Sequence, residues 1–164
     1  MIIFKAIKPK KLNIKEIEKA LLAEAESIAN DIELDFALTV GTWKRDVEFE
    51  KLVASTRLGI EILVDTDDEI YRYVNEGTKP HVILPKRAKA LAFKSGYKAK
   101  TIVGKKVART GGSFGSTVFS KGVIHPGTEA RDFDEIIAKE WNKKFKRRME
   151  KAMKKARNAS DNPI

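Results

Sequence analysis

Apolar residues recur at Ile14, Ile17, Leu21, Ala25, Ile28, Ile32 and Phe36. Spacings of three and four collect them into one stripe along a helix. Asn13 is the expected N-cap, with Glu16 where a capping-box partner reaches back, and Gly41 is the expected stop. A helix of that length is expected to lie across a sheet. The period then shortens to two. Val47 and Phe49 alternate with Glu48 and Glu50, and Leu58, Ile60, Ile62 and Val64 alternate with Gly59, Glu61 and Leu63. Such alternation predicts two strands with one buried face, joined as a hairpin through Ser55–Arg57. The acidic run from Asp65 to Asp68 then caps a short helix over Glu69–Asn75.

From Gly77 to Pro126 the chain is punctuated by Pro80, Pro85, Gly96, Gly104, Gly111, Gly112, Gly115 and Gly122. Short strands fit at Ala88–Lys94 and Thr117–Ile124. Between them, Ser95–Ser116 has little apolar periodicity. It is expected to be a long mobile loop or extended hairpin, ordered on assembly because it has little apolar area to offset its ordering entropy. Asp132, with Glu135 three residues on, opens a last helix whose stripe is Phe133, Ile137, Trp141, Phe145, Met149 and Ala152. It is expected to run to Asn158, with a frayed tail over Ala159–Ile164. The sum is an α+β fold: one domain, 1–164, with a small antiparallel sheet packed by long N- and C-terminal helices.

Composition narrows the class. At 42% hydrophobic and 34% charged, the 164 residues suit one globular domain. There is no cysteine, so neither a disulfide framework nor a thiolate metal site. No apolar run approaches the roughly 20 residues that cross a bilayer, and Met1–Ile7 is too short for a signal peptide. A soluble protein made in a cytoplasm is expected. The net charge of +10 favours acidic partners. Ten Lys or Arg against two Glu between Lys139 and Arg157 give the last helix a net +8.

The candidate chemistry is thin. His81 and His125 are the only histidines, each beside a proline. Without an acidic cluster they make a poor metal set, and a backbone bond in a turn is the simpler role for each. The run Thr110–Thr117 is glycine-rich but lacks the Gly-Lys-Ser/Thr of a phosphate loop. No serine sits in a Gly-x-Ser-x-Gly elbow. Asp65, Asp67 and Asp68 fit a solvated turn better than a calcium loop.

Two segments carry a recognisable pattern. The first runs Tyr71-Arg-Tyr73-Val-Asn-Glu76-Gly77-Thr78-Lys-Pro80-His81-Val-Ile83-Leu-Pro85-Lys86, followed by the apolar Ala90–Phe93. The second is Val123-Ile-His125-Pro126-Gly127-Thr128-Glu-Ala130-Arg131-Asp-Phe133. Both in this order resemble the bacteriophage tail-completion family, also called head–tail joining or minor tail protein Z-like proteins. Its members show Tyr-x-x-x-Val-Glu-x-Gly-Thr-x-Pro-His-x-Ile-x-Pro, an apolar strand, then His-Pro-Gly-Thr before the final helix. The match covers Tyr71–Phe133; Asn75-Glu76-Gly77 departs from the members' usual Glu-Phe-Gly.

The resemblance implies an α+β virion protein with no catalysis and no cofactor, forming a ring, usually hexameric, at the neck. Its implied partners are itself, the tail terminator or tail tube protein, and the head–tail connector, with genomic DNA passing through. Subunit or partner contact is then expected at Tyr73, Glu76, Gly77, Thr78, Pro80, His81 and Pro85, and at His125, Pro126, Gly127 and Thr128. A well-made turn is the alternative for the same segments. Lys143, Lys144, Lys146, Arg147, Arg148, Lys151, Lys154 and Lys155 are candidates to meet DNA or an acidic partner; a solvated helix face is the alternative. The rival function is a monomeric basic module that binds nucleic acid through backbone phosphate.

Overall fold

The computed structural model describes residues 13–57, 59–106 and 108–161, without the side chains of 160 and 161. Met1–Ile7, the strand position Leu58 and residues 162–164 lie outside them; Ala159 to Asp161, expected to fray, continue the last helix past Asn158. The first helix, α1, spans Ile14–Val40, and Asn13 caps it by accepting from the Glu16 N–H at 3.4 Å. Strands β1 (Glu50–Thr56) and β2 (Gly59–Asp65) pair antiparallel, with Glu50 opposite Asp65 and Leu52 opposite Leu63. Val47 and Phe49, predicted within the strand, precede it and pack on the core instead. Helix α2 spans Glu69–Glu76, and Asp68 accepts from the Tyr71 N–H at 2.8 Å as its cap.

The chain then makes one long antiparallel excursion. Strands β3 (His81–Ile83), β4 (Leu91–Lys94) and β5 (Tyr97–Lys98) go out; β6 (Gly112–Ser113), β7 (Thr117–Ser120) and β8 (Val123–His125) return. They pair as β3–β8, β4–β7 and β5–β6, nested one beyond the next, with the pairing offset between successive ladders. The extended-hairpin form of the expectation for 95–116 is the one present. Each of these sheets, like β1–β2, is two strands wide. The ladders are interrupted where the sequence breaks: the strand predicted over Thr117–Ile124 stops at Lys121-Gly122, where the Ser120 hydroxyl turns to the Gly122 carbonyl at 2.6 Å.

Helix α3 (Phe133–Asp161) lies antiparallel to α1, and α1 is sandwiched between α3 and the β1–β2 hairpin. The class is α+β, with two long terminal helices on small antiparallel sheets, as predicted. The core sits where these elements meet: Ile28, Phe36, Val40, Tyr71, Phe133, Ile137 and Trp141. Tyr71 is its aromatic hub, edge-on to Phe49 at 5.2 Å and 6.0 Å from the fully buried Phe133.

The start of α3 corrects the predicted capping box. Asp132 takes positive φ, 51°, and does not serve as the cap. The acceptor is Asn75 Oδ1, on the last turn of α2, which takes the Phe133 N–H at 2.7 Å and the Asp134 N–H at 3.4 Å. The Asn75 carbonyl also takes the N–H groups of Arg131 and Asp132 at 2.9 and 3.1 Å. One buried side chain from 58 residues upstream thus satisfies donors that a helix start leaves unpaired.

Two substitutions separate polar groups that hold the core from one that does not. Asn75→Ala leaves buried N–H groups unpaired and is expected to cost about 2 kcal/mol by denaturant titration. The Tyr71 hydroxyl is buried beside that of Thr39, which donates to the Phe36 carbonyl at 2.7 Å, and makes no well-formed hydrogen bond among the described residues. Its burial pushes the pKa far above the ordinary 10. Tyr71→Phe is expected to leave the midpoint unchanged or raise it; a loss above about 1 kcal/mol would mean that the hydroxyl is bonded.

Candidate interaction surface

The two patterned segments, fifty residues apart in sequence, are in contact. Thr78 and Thr128 exchange backbone hydrogen bonds at 2.8 and 3.1 Å, and the Thr78 hydroxyl accepts a second bond from the Thr128 N–H at 2.9 Å. Glycine is required on both sides of this strap. A Cβ on Gly77, at φ 78°, would lie 2.6 Å from the Thr128 carbonyl oxygen. A Cβ on Gly127, at φ 91°, would overlap the Thr78 carbonyl oxygen. Both backbones have left-handed φ as well, which an L side chain adopts only at a cost.

Next along the ribbon, His81 and His125 are register partners with stacked rings, centroids 5.1 Å apart. Each bonds backbone in a turn: His81 Nδ1 to the Lys79 carbonyl at 2.9 Å, and His125 Nδ1, as acceptor, to the Gly127 N–H at 3.1 Å. The latter contact places the His125 ring proton on Nε2. No group of three or more potential metal-ligating side chains occurs among the described residues.

Of the residues predicted for contact, Tyr73, Glu76, Pro80, His81 and Pro126 are exposed, while Gly77, Thr78, Pro85, His125, Gly127 and Thr128 are half-buried. The half-buried glycines and threonines build the strap. Pro80, His81 and Pro126 lie beside it, while Tyr73 and Glu76 are on α2, with Arg72 over the Tyr73 ring at 5.9 Å.

The far end of the ribbon is anchored to the body. Lys106 donates to Asp35 of α1 and Glu140 of α3, both at 2.7 Å, and Trp141 Nε1 donates to the same Asp35 oxygen at 2.8 Å. Thr101 is buried and accepts from Nε of the buried Arg131 at 3.1 Å. Lys100 Nζ reaches the Thr42 carbonyl at 2.5 Å.

Helix α3 divides its cations between two roles. Arg148 faces inward across α1, donating from Nε to Glu24 at 2.6 Å, from Nη2 to Ser27 at 2.9 Å, and also to Asp31. It is an interhelical clamp, and Lys144 lies over the Trp141 ring at 4.8 Å. Lys143, Lys146, Arg147, Lys151, Lys154 and Lys155 are exposed and have no acidic partner among the described residues. No described helix is long and apolar enough to cross a membrane.

Sequence reasoning missed three features. The Asp35–Lys106–Glu140 node and the Asn75 cap join residues too distant for any local pattern. The third, the composition of the ribbon, was readable: no Asp or Glu occurs between Gly77 and Thr128. No protein-family model, curated protein or solved structure matches this chain.

Two measurements check this geometry. Gly127→Ala is expected to cost about 2 kcal/mol in chemical denaturation, and a near-neutral result would mean that the strap is loose. The tip contact is expected to depend on pH. Burial works to raise the Asp35 pKa, but hydrogen bonds from Lys106 and Trp141, with the charges of Lys106 and Lys144, outweigh it, leaving it below the ordinary 3.8. Burial works to lower that of Lys106, but Asp35 and Glu140 outweigh it, leaving it above 10.5. The Asp35 contribution is therefore full above 3.8 and lost as pH falls through its lowered pKa. The Lys106 contribution is full below 10.5 and lost as pH rises through its raised pKa. Hydrogen exchange of the isolated chain should find the tip amides protected between these limits, and Asp35→Asn should remove protection at neutral pH. A tip unprotected in the wild-type chain would contradict the anchoring.

Proposed function

We propose that this protein is a structural component of a tailed bacteriophage virion, made in the bacterial host's cytoplasm, that completes the tail and joins it to the head as a ring of identical subunits. The observation that carries the reading is the convergence of the two patterned segments. The Gly-Thr-x-Pro-His and His-Pro-Gly-Thr motifs are the two strands of one strap, paired Thr78 to Thr128 and His81 to His125. Their shared pattern thus has a single structural reason, and the strap starts a ribbon whose far end is tied back to the helical body. Such a shape suits a protein whose output is binding energy rather than bond chemistry. In this reading the neighbours are further copies, the tail terminator or tail tube protein, and the head connector.

The cations of α3 favour a second reading, a monomeric module bound to nucleic acid through phosphate. Six of its exposed Lys and Arg lack acidic partners among the described residues. Binding of that kind is indifferent to sequence and weakens steeply with salt. Arg148 should be spared in its test, because reversing it would break the clamp on α1.

Inactivating the gene in the phage or prophage that encodes this chain separates the two. The proposed function requires lysates that contain filled or empty heads and separate tails, with joined particles reduced at least a hundredfold and restored by the gene supplied in trans. Joined, infectious particles at normal titre would refute it. Charge reversal at Lys143, Lys146 and Lys154 that leaves joining intact but abolishes oligonucleotide binding by the purified monomer would favour the second reading.

A further inference from the structure

The ribbon's composition is extreme. Gly77–Thr128 contains eleven Lys or Arg and no Asp or Glu. Lys106 is tied to Asp35 and Glu140, Lys100 to the Thr42 carbonyl, and Arg109 to the Ala99 carbonyl. The side chains of the other eight make no hydrogen bond or ion pair with the described residues. The same ribbon exposes large apolar side chains: Val82 and Ile124, directly opposite each other in register, are 63% and 77% exposed, and Leu84 and Phe119 are 63% and 73% exposed. Being two strands wide, the ribbon also has open backbone edges. Exposed aliphatic area of this kind marks a protein-binding surface.

The opposite charge is carried by the same chain. Residues 13–76 hold sixteen acidic and seven basic side chains, a net of −9. At the open end of the β1–β2 hairpin, Glu50 stands directly opposite Asp65, and with Glu48 and Asp67 these residues line a cleft of about 380 Å³. Arg45 also lines it, but is paired with Asp68. Like charges facing each other across a ladder are destabilising unless a cation approaches.

We propose that the ribbon of one copy seats on the acidic 13–76 side of a second copy, head to tail. The inference rests on the ring reading and names the two surfaces that make the ring. A two-fold contact between ribbons would set cation against cation. Two surfaces of opposite sign on one chain suit a head-to-tail contact, which closes into a ring where its rotation does. Burial of Val82, Leu84, Phe119 and Ile124 supplies affinity, and the separated charges supply orientation.

Complementary charge reversal on the full chain tests the inference. One variant carries Lys86→Glu, Lys89→Glu and Lys121→Glu, all on exposed ribbon positions. The other carries Glu48→Lys, Glu50→Lys and Asp67→Lys, also exposed. Circular dichroism checks that both fold, and sedimentation velocity reads assembly. Wild type is expected to assemble, each variant alone to need at least ten times the protein concentration, and an equimolar mixture to assemble like wild type, since every contact then pairs opposite charges. Wild type that assembles, with variants that assemble equally well, overturns this inference and leaves the ring reading standing. Failure of the mixture to recover overturns the assignment of the acidic face. Wild type that stays monomeric at every concentration overturns the ring reading itself. If that monomer binds a 30-base-pair duplex and the ribbon variant does not, the ribbon's partner is nucleic acid and not a second copy.

Discussion

The Asn75 side chain fixes where the ribbon begins and ends. Its Oδ1 accepts the first N–H groups of α3, and its carbonyl accepts those of Arg131 and Asp132. The last turn of α2 is therefore joined to the first turn of α3 inside the core, beside Tyr71 and Phe133. A chain that leaves this join at Gly77 must return to it by Ala130. The outgoing and returning segments are held side by side from their first residue, and Thr78 pairs with Thr128. That proximity leaves no room for a Cβ at Gly77 or Gly127.

Anchored at its base by the strap and at its tip by Lys106, the ribbon is presented on the body in one orientation. The rest of the body follows from the helix pair. Arg148 bridges to Glu24 and Asp31, and Trp141 bonds Asp35, so the acidic α1 is partly neutralised by α3. On the hairpin side of 13–76 the ion pairs among the described residues are Lys51 with Glu33 and Arg45 with Asp68, and Glu50 and Asp65 are in neither. In the proposed ring, positive and negative surfaces separated in this way are complementary between subunits.

The helices were legible because their periodicity is local. The caps Asn13 and Asp68 act within three residues, and both positions could be read from the sequence. The α3 cap was misassigned because Asp132 and Glu135 satisfy the local pattern, while the acceptor used lies 58 residues upstream. The sequence shows the place of Arg148 on the helix but not the carboxylates of α1 facing it, so nothing local separates it from the cations around it. The motif segments were legible as rigid, Pro- and Gly-fixed loops. That they are two strands of one strap required knowing that their ends meet. The absence of carboxylates from 77 to 128 is plain in the sequence; that these residues form one out-and-back excursion is not.

Cryo-electron microscopy of the assembled protein bears most directly on the claim that this chain works by binding its own copies through the ribbon. A closed ring is expected in which Val82, Leu84, Phe119 and Ile124 of each subunit are buried against the acidic β1–β2 side of the next. A ring, or a two-fold dimer, with those four side chains in solvent would contradict it.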